Sequence, residues 1–224
     1  MLRSVLKSQS FSALAFVAFL CGGAQLARAA EDVLNLLHQG IPHDALYDVC
    51  FEGNNGIAVG VAGTVLNSSD GGASWQPEKP VTDQALLGIT CSGASPIAVG
   101  QSGHVQVKAA EGWQVTTSGS DQRLLSVAAD SSGLAVAVGG FGTVLRSRDS
   151  GRTWEQLPFD WEAILNDFLE PHIYDVSILD DGTLVIVGEF QLVLISNDRG
   201  DSWEVLNKAS SSLFSVDFYD RQNG

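Results

Sequence analysis

The sequence repeats itself, and this repetition limits the folds open to the chain more than any other feature. Each unit contains an apolar run that ends in glycine, and these glycines are Gly60, Gly100, Gly139 and Gly188. Each unit then closes on a tryptophan, and the four are Trp75, Trp113, Trp154 and Trp203. The units are about forty residues long, an interval typical of arrays in which every structural unit packs on its neighbours.

Every unit contains four short runs of strand length, rich in Val, Ile and Leu and bounded by turn residues. Helical repeats would need longer apolar runs that are poor in glycine, whereas this chain has 24 glycines. A forty-residue unit with four strands has the size of one blade of a β-propeller. The sequence therefore predicts an all-β propeller of four-stranded antiparallel blades. In the first blade we expect strands at 46–52, 56–61, 64–68 and 74–77.

The repeats divide the chain into a lead-in at 30–44 and a propeller at 45–224. Four full blades are expected at 45–79, 85–117, 124–158 and 173–207, and the start of a fifth at 213–224. Four blades and part of a fifth leave open sheet edges, which propellers avoid by closing the ring. We therefore expect the sequence to be a fragment of a larger propeller with roughly six to eight blades.

Three units share a tighter signature, S-x-D-x-G-x-[ST]-W, between the third and fourth strands. Its fixed residues are Ser68, Asp70, Gly72 and Trp75; Ser147, Asp149, Gly151 and Trp154; and Ser196, Asp198, Gly200 and Trp203. The aspartate can accept backbone N–H groups within the turn, and the glycine permits a left-handed conformation. We therefore interpret these motifs as structural turns rather than as catalytic or metal-binding sites. The second unit lacks the motif.

The signature is the Asp-box, and the chain resembles the Asp-box propellers, in particular the photosystem II stability/assembly factor type. The resemblance covers nearly all of 45–224 and is best at Val59–Leu66 with the box at Ser68–Trp75. Members of that type help to assemble the photosystem II reaction centre without chemistry of their own. The resemblance implies a non-catalytic scaffold that binds a protein, including a membrane-protein complex under assembly. The photosynthetic members use arginine-rich surface, whereas this chain is acidic.

The first 29 residues have the pattern of a cleaved export signal. Arg3 and Lys7 precede an apolar run at 11–20, which is too short to span a bilayer, and Ala27-Arg28-Ala29 offers small residues for cleavage. We expect a soluble protein in the periplasm or the medium; a lipid anchor on Cys21 is the alternative. Cleavage removes three basic residues and no acid, so the net charge falls from −14 to −17. Such a surface disfavours nucleic acid and anionic lipid as partners.

Two cysteines remain after cleavage, Cys50 and Cys91. Aligned by repeat, Cys50 follows Val49 by one residue and Cys91 follows Ile89 by two, so the two side chains should face opposite ways on their strands. We therefore expect two buried free thiols.

Function is expected on the face that carries the turns between second and third strands, because loops on a rigid scaffold commonly carry binding residues. The candidates there are His104, Phe141, Glu189 and Phe190. The two phenylalanines stand where small or polar residues are usual. They either fold back over the core or act as aromatic anchors for a partner.

The connection after Trp154 is longer than the others, and its apolar residues follow helical spacing. The pattern predicts a short helix over about 160–170, with Asp160 as N-cap and Pro171 as its stop. The helix either docks on the rim of the propeller or presents Trp161 and Phe168 to a partner.

Glycoside hydrolysis or carbohydrate binding is the alternative function, since sialidases also carry Asp-boxes. The sequence offers neither the arginine cluster nor the entry motif of a sialidase, and Arg148, Arg152 and Arg199 lie in or beside the boxes. The histidines have no metal-ligand spacing. We therefore expect no catalytic residue, no metal and no cofactor.

Overall fold

The computed structural model describes residues 44–218, 220, 223 and 224. They form four antiparallel sheets of four strands, each sheet in simple chain order. Blade 1 contains β1 (Leu46–Glu52), β2 (Asn55–Gly60), β3 (Val65–Ser68) and β4 (Gln76–Pro77). Blade 2 contains β5 (Leu86–Thr90), β6 (Ile97–Gly100), β7 (Val105–Ala109) and β8 (Gly112–Thr116). Blade 3 contains β9 (Leu124–Ala129), β10 (Ala135–Gly139), β11 (Val144–Ser147) and β12 (Glu155–Gln156). Blade 4 contains β13 (Ile173–Ile178), β14 (Leu184–Gly188), β15 (Val193–Ser196) and β16 (Glu204–Asn207). The predicted all-β propeller with four blades is confirmed.

The antiparallel order divides the connections between two faces. The turns within the Asp-boxes share one end of the blades with the turns between first and second strands, as the hydrogen bond from Gly71 N to Asn54 O shows. We call this end the box face. The turns between second and third strands share the opposite end with the connections that lead from one blade to the next. We call it the turn face, and it carries most of the predicted binding residues.

The hydrophobic core lies between neighbouring blades. Val138 and Val144 of blade 3, for example, belong to one buried cluster with Ile173 and Val176 of blade 4. The glycine at the end of each second strand has its cause here, because that end approaches the backbone that enters the first strand of the same blade. A Cβ on Gly139 would lie 2.9 Å from the carbonyl carbon of Arg123 and would overlap the carbonyl oxygen. Only glycine fits this position without a backbone shift.

The segment 213–218 lies beside blade 4, where the first strand of a following blade would run. Asp175 Oδ2 accepts the N–H of Val216 at 2.9 Å, just as Asp48 Oδ2 of blade 1 accepts the N–H of Ile89 of blade 2 at 2.8 Å. Leu46, at the start of β1, is 50% exposed, whereas the residues equivalent to it in blades 2 to 4 are fully buried by the blade before them.

The Asp-box side chains are engaged within their own turns. In the third blade, buried Ser147 accepts the N–H of Gly151 at 2.9 Å, and Asp149 accepts the N–H of Thr153 at 2.8 Å. The other two boxes repeat this geometry. The hydroxyls of Ser74 and Ser202 are the main cause that lowers the pKa of Asp70 and of Asp198 to about 2. Because the pKa of each aspartate is lower in the folded turn than its unfolded value of 3.8, its charge stabilises the folded protein. This stabilisation is present at pH values above 3.8 and is lost as the pH falls through about 2.

The prediction of two free thiols is wrong, because Cys50 and Cys91 form a disulfide with a Cα–Cα distance of 5.5 Å. The first strands of neighbouring blades run close together at the centre, where Asp48 of β1 already bonds the backbone of Ile89 in β5. Cys91 lies one residue beyond the end of β5, so the alternation of strand side chains no longer fixes its direction.

The predicted helix forms but is shorter than expected. The helix α1 covers Trp161–Leu165, and Asp160 caps it by accepting the N–H of Ala163 at 3.0 Å. It ends at Asn166, which is left-handed, with φ of 57°, and not at Pro171. α1 is the one α-helix among the described residues, and no helix there is long and apolar enough to cross a membrane. The predicted signal peptide, Cys21 and the lead-in up to residue 43 lie outside the described residues.

Candidate functional site

The turns between second and third strands place unusual residues in a left-handed backbone. The second residue of each turn has positive φ, with values of 51° at Ala62, 54° at Ser102, 51° at Phe141 and 60° at Phe190. Small or polar residues tolerate this conformation, but for a bulky side chain it is a genuine outlier. Strain of this kind costs about 1–3 kcal/mol and collects at functional positions. The two phenylalanines are therefore candidates for a role other than folding.

Phe141 presents its ring to solvent. The side chain is 56% exposed, and its ring meets His172 edge-to-face with the centroids 5.1 Å apart. The backbone N–H of Phe141 donates to His172 Nδ1 at 3.1 Å. For Phe141, the structure excludes the interpretation that the ring folds back into the core.

The exposed ring of Phe141 begins a row of aromatic side chains that crosses the turn face. From His172 the row continues to Tyr174, with centroids 6.4 Å apart, and from Tyr174 to Phe214, with centroids 4.7 Å apart. Phe214 is 69% exposed. We call Phe141, His172, Tyr174 and Phe214 the aromatic row. Of these four residues, only Phe141 was predicted from the sequence as a binding residue.

Glu189, a predicted partner-binding residue, accepts hydrogen bonds from two members of the aromatic row. One carboxylate oxygen accepts the backbone N–H of His172 at 2.8 Å, and the other accepts the hydroxyl of Tyr174 at 3.4 Å. Burial and then the charge of Glu189 raise the pKa of Tyr174, so its hydroxyl stays protonated at neutral pH. Phe190, next in sequence, is half-buried.

Trp161, a candidate partner-binding residue, is buried at 8% exposure, which fits the alternative that the helix docks on the rim. Its ring stacks on Phe159 at 4.6 Å, and its Nε1–H donates to the carbonyl of Gly142 at 3.1 Å. The indole thus fixes the turn that carries Phe141. Phe168 lies beyond the end of α1 and is 87% exposed. The helix therefore packs on the propeller through Trp161, while Phe168, in the segment that follows the helix, is exposed to solvent.

A groove of about 830 Å³ opens on the turn face between blades 2 and 3. Its lining includes His104, Asp121, Phe141, Thr143 and Glu170. His104 lies at the wall, where its Nε2 is 3.0 Å from the side-chain oxygen of Gln106. The structure thus brings two of the predicted residues, His104 and Phe141, to one groove. Asp121, Thr143 and Glu170 were not predicted as site residues.

The carboxylates with shifted pKa are held in structural contacts. Burial raises the pKa of Asp48, whose oxygens accept backbone N–H groups of Ile89 and Val49. Glu78 pairs with Lys108 and accepts the indole N–H of Trp113 at 3.2 Å. Among the described residues, no group of His, Cys, Asp and Glu side chains could hold a metal ion.

Solved structures of other propellers are similar to this fold. YCF48 bound to D1 peptide has a TM-score of 0.58 at 20% identity over 77% of this chain and 56% of that one. YCF48 from Cyanidioschyzon merolae has a TM-score of 0.62 at 20% identity over 82% and 62%. These likenesses show the fold: the chain is a β-propeller.

An ancestral GH74 enzyme is also similar, with a TM-score of 0.58 at 17% identity over 74% of this chain and 26% of that enzyme. The chain thus spans less than two thirds of the length of each of these three proteins. No protein-family model matches the chain, and no curated protein matches it in sequence.

Proposed function

We propose that this propeller is a non-catalytic scaffold that holds a protein partner on its turn face. The observation that carries the proposal is the aromatic row, which places the exposed rings of Phe141 and Phe214 on one surface of the free protein. Aromatic side chains dominate the centres of protein interfaces because they bury a large area at low entropic cost. Phe141 occupies a strained position in which a small residue would suffice for the turn.

The comparisons support a peptide or protein as the partner. A propeller of the same fold, YCF48, has been solved with a D1 peptide bound. The Asp-box signature and this likeness favour a role of the assembly-factor type, with a membrane-protein complex under assembly as one kind of client. The leader pattern favours action after export to the periplasm or the medium, where the Cys50–Cys91 disulfide would persist.

Carbohydrate binding or glycoside hydrolysis is the second candidate, favoured by the likeness to a GH74 enzyme. Retaining and inverting hydrolases need two free carboxyl groups that flank the scissile bond. The Asp-box carboxylates instead bond their own turns on the box face, and Arg148 and Arg199 pair with Asp201 and Asp130 on that face. The contacts of these acids and arginines therefore favour the scaffold.

Replacing Phe141 by Ser is expected to weaken co-purification of the native client at least tenfold with little loss of stability. Ser102 adopts the same left-handed conformation in blade 2, so serine suits the turn, and exposed rings contribute little to folding. Co-purification from the native source, quantified by mass spectrometry beside thermal melts, measures both effects. Arg152→Ser on the box face is the matched control and should leave the recovery of the client unchanged. A large drop in melting temperature for Phe141→Ser would show instead that this ring belongs to the core.

A further inference from the structure

The indole of Trp203 holds a buried polar atom, Nε1, that has no hydrogen-bond partner among the described residues. The tryptophans at the same repeat position in blades 2 and 3 do have partners. Trp113 Nε1 donates to Glu78 Oε2 at 3.2 Å, and Trp154 Nε1 donates to the carbonyl of Gly151 at 2.9 Å. Buried donors are nearly always paired in native proteins, so each exception needs an explanation.

The missing acceptor has a cause in the sequence. Glu78 and Leu157 occupy the same repeat position, because each donates its backbone N–H at 2.9 Å to the first residue of a third strand, Val65 in blade 1 and Val144 in blade 3. Between blades 1 and 2 this position supplies the carboxylate that accepts the indole N–H of the next blade. Between blades 3 and 4 it is a leucine, whose side chain cannot accept a hydrogen bond. The indole of blade 4 therefore lacks the acceptor that blade 2 receives.

A groove of about 380 Å³ lies beside Trp203, between blades 3 and 4. This volume is within the range of about 300–1,000 Å³ that is typical of ligand sites. The ring of Trp203 packs on Phe159, with the centroids 5.6 Å apart. The apolar lining comes from the segment after β12, from α1, and from β15 and β16, and it includes Pro158, Phe159, Ile164, Leu194 and Val205.

The charged groups at this groove neutralise one another. Arg146 is only 7% exposed and donates to Glu155 Oε1 and to Asp201 Oδ1, both at 2.8 Å. Arg148 donates to the same oxygen of Asp201 at 2.6 Å. Two guanidinium groups thus face two carboxylates, and no net charge is left. The groove therefore suits an uncharged ligand that combines an apolar group with a hydrogen-bond acceptor.

The edge of β16 beside the groove can pair with the backbone of an extended ligand. β16 is the terminal strand of its sheet, and all four of its residues are exposed. Alternate residues of a strand face the same side, and Trp203 and Val205 accordingly both line the groove. The outer strand of blade 3, β12, has only two residues and is followed by Pro158, which has no N–H. The free main-chain edge at this groove is therefore that of β16.

We propose that the groove and the edge of β16 bind an extended peptide segment of a partner, which adds a strand to blade 4. The peptide backbone pairs with β16, and one apolar side chain of the peptide enters the groove. A peptide carbonyl accepts the Nε1–H of Trp203 after the half-buried indole rotates. In such strand addition the main-chain hydrogen bonds supply affinity and the side-chain pocket supplies specificity. This site is separate from the turn face and does not rest on the proposed function.

Nuclear magnetic resonance tests the site through the indole N–H signals of isotope-labelled protein, titrated with the peptide acetyl-Ser-Thr-Thr-Leu-Thr-Thr-Ser-amide. The Trp203 signal, identified by its loss in Trp203→Phe, should move downfield and saturate, because its proton gains an acceptor. One twin peptide is methylated on its three central backbone nitrogens and cannot pair with a strand. A second twin has serine in place of leucine and cannot fill the groove. Each twin should bind about tenfold more weakly or worse.

Variants separate the indole hydrogen bond from general packing, with affinity measured by fluorescence anisotropy of the labelled leucine peptide. Trp203→Phe keeps an aromatic ring but removes the donor, and it should weaken binding about fivefold. Trp75→Phe makes the same change in blade 1, away from the groove, and should leave affinity unchanged. Leu157→Gln places an acceptor where blade 1 has Glu78, so it should also weaken binding, whereas Leu157→Met should not.

The peptide site would be ruled out by a Trp203 signal that does not move, or by a methylated twin that binds as well as the parent peptide. Equal effects of Trp203→Phe and Trp75→Phe would also rule it out. If thermal melts show that Leu157→Gln does not fold, the comparison of these two tryptophan variants decides alone. The proposed function is tested separately by Phe141→Ser, because Phe141 does not line this groove.

Discussion

Gly139→Ala is expected to lower the free energy of unfolding by about 3 kcal/mol, near the upper end for overpacked positions. The new methyl group would overlap the carbonyl oxygen of Arg123. That oxygen cannot move freely, because it accepts the N–H of Gly140 at 2.9 Å. Chemical denaturation measures the effect, provided that the m-value, the dependence of the free energy of unfolding on denaturant concentration, is the same in both proteins.

The neighbouring glycine supplies the control for this substitution. A Cβ on Gly140 would meet its nearest atom, Nδ1 of His172, at an ordinary 3.5 Å. Gly140→Ala should therefore leave stability unchanged or raise it by up to about 1 kcal/mol, because alanine has less freedom in the unfolded chain. Equal effects of the two substitutions would mean that the approach of the second strand to the Arg123 carbonyl does not constrain the blade.

Loss of the Cys50–Cys91 disulfide is expected to reduce stability by about 4 kcal/mol, the chain-entropy value for a loop of this length. The bond joins residues 41 positions apart and ties blade 1 to blade 2. Cys91→Ala in oxidised protein from Ala30 onward, followed by denaturation, gives the measurement. Reduced parent protein should unfold within about 1 kcal/mol of the variant, because both lack the same constraint.

A thiol titration checks the disulfide independently. Oxidised protein from Ala30 onward, unfolded without reductant, should show no free thiol, since its two cysteines are bonded to each other. Two free thiols per chain would restore the prediction made from the sequence and contradict the structure.

The blades could be predicted from the sequence because their signals are local. The strand β1 was predicted with its observed bounds, and the turns of the Asp-boxes follow from hydrogen bonds within seven residues, such as Gly151 to Ser147. The disulfide could not be predicted from strand alternation, because it depends on how closely β1 and β5 approach at the centre.

The candidate site was predicted only in part, because it is assembled from separate blades. Helical spacing placed Trp161 on the apolar face of the predicted helix but did not show whether that face turns toward the propeller or toward solvent. In the structure Trp161 packs against the turn that carries Phe141. The aromatic row joins residues of blades 3 and 4 to Phe214, so no local pattern reveals it. One signal was available: alignment of the connections places Asp83, Asp121 and Glu170 at one repeat position.

Site-specific photo-crosslinking tests the central claim, that the turn face holds a protein partner, most directly. The photoreactive amino acid p-benzoylphenylalanine is placed at Phe141 or Phe214 on the turn face, and at Ser131 or Arg152 on the box face as controls. All four side chains are exposed, so accessibility is matched. In cells of the native source, illumination should yield one discrete adduct from Phe141 and Phe214, with the same partner in both. Adducts from the box-face positions alone, or equal adducts from both faces, would contradict the account.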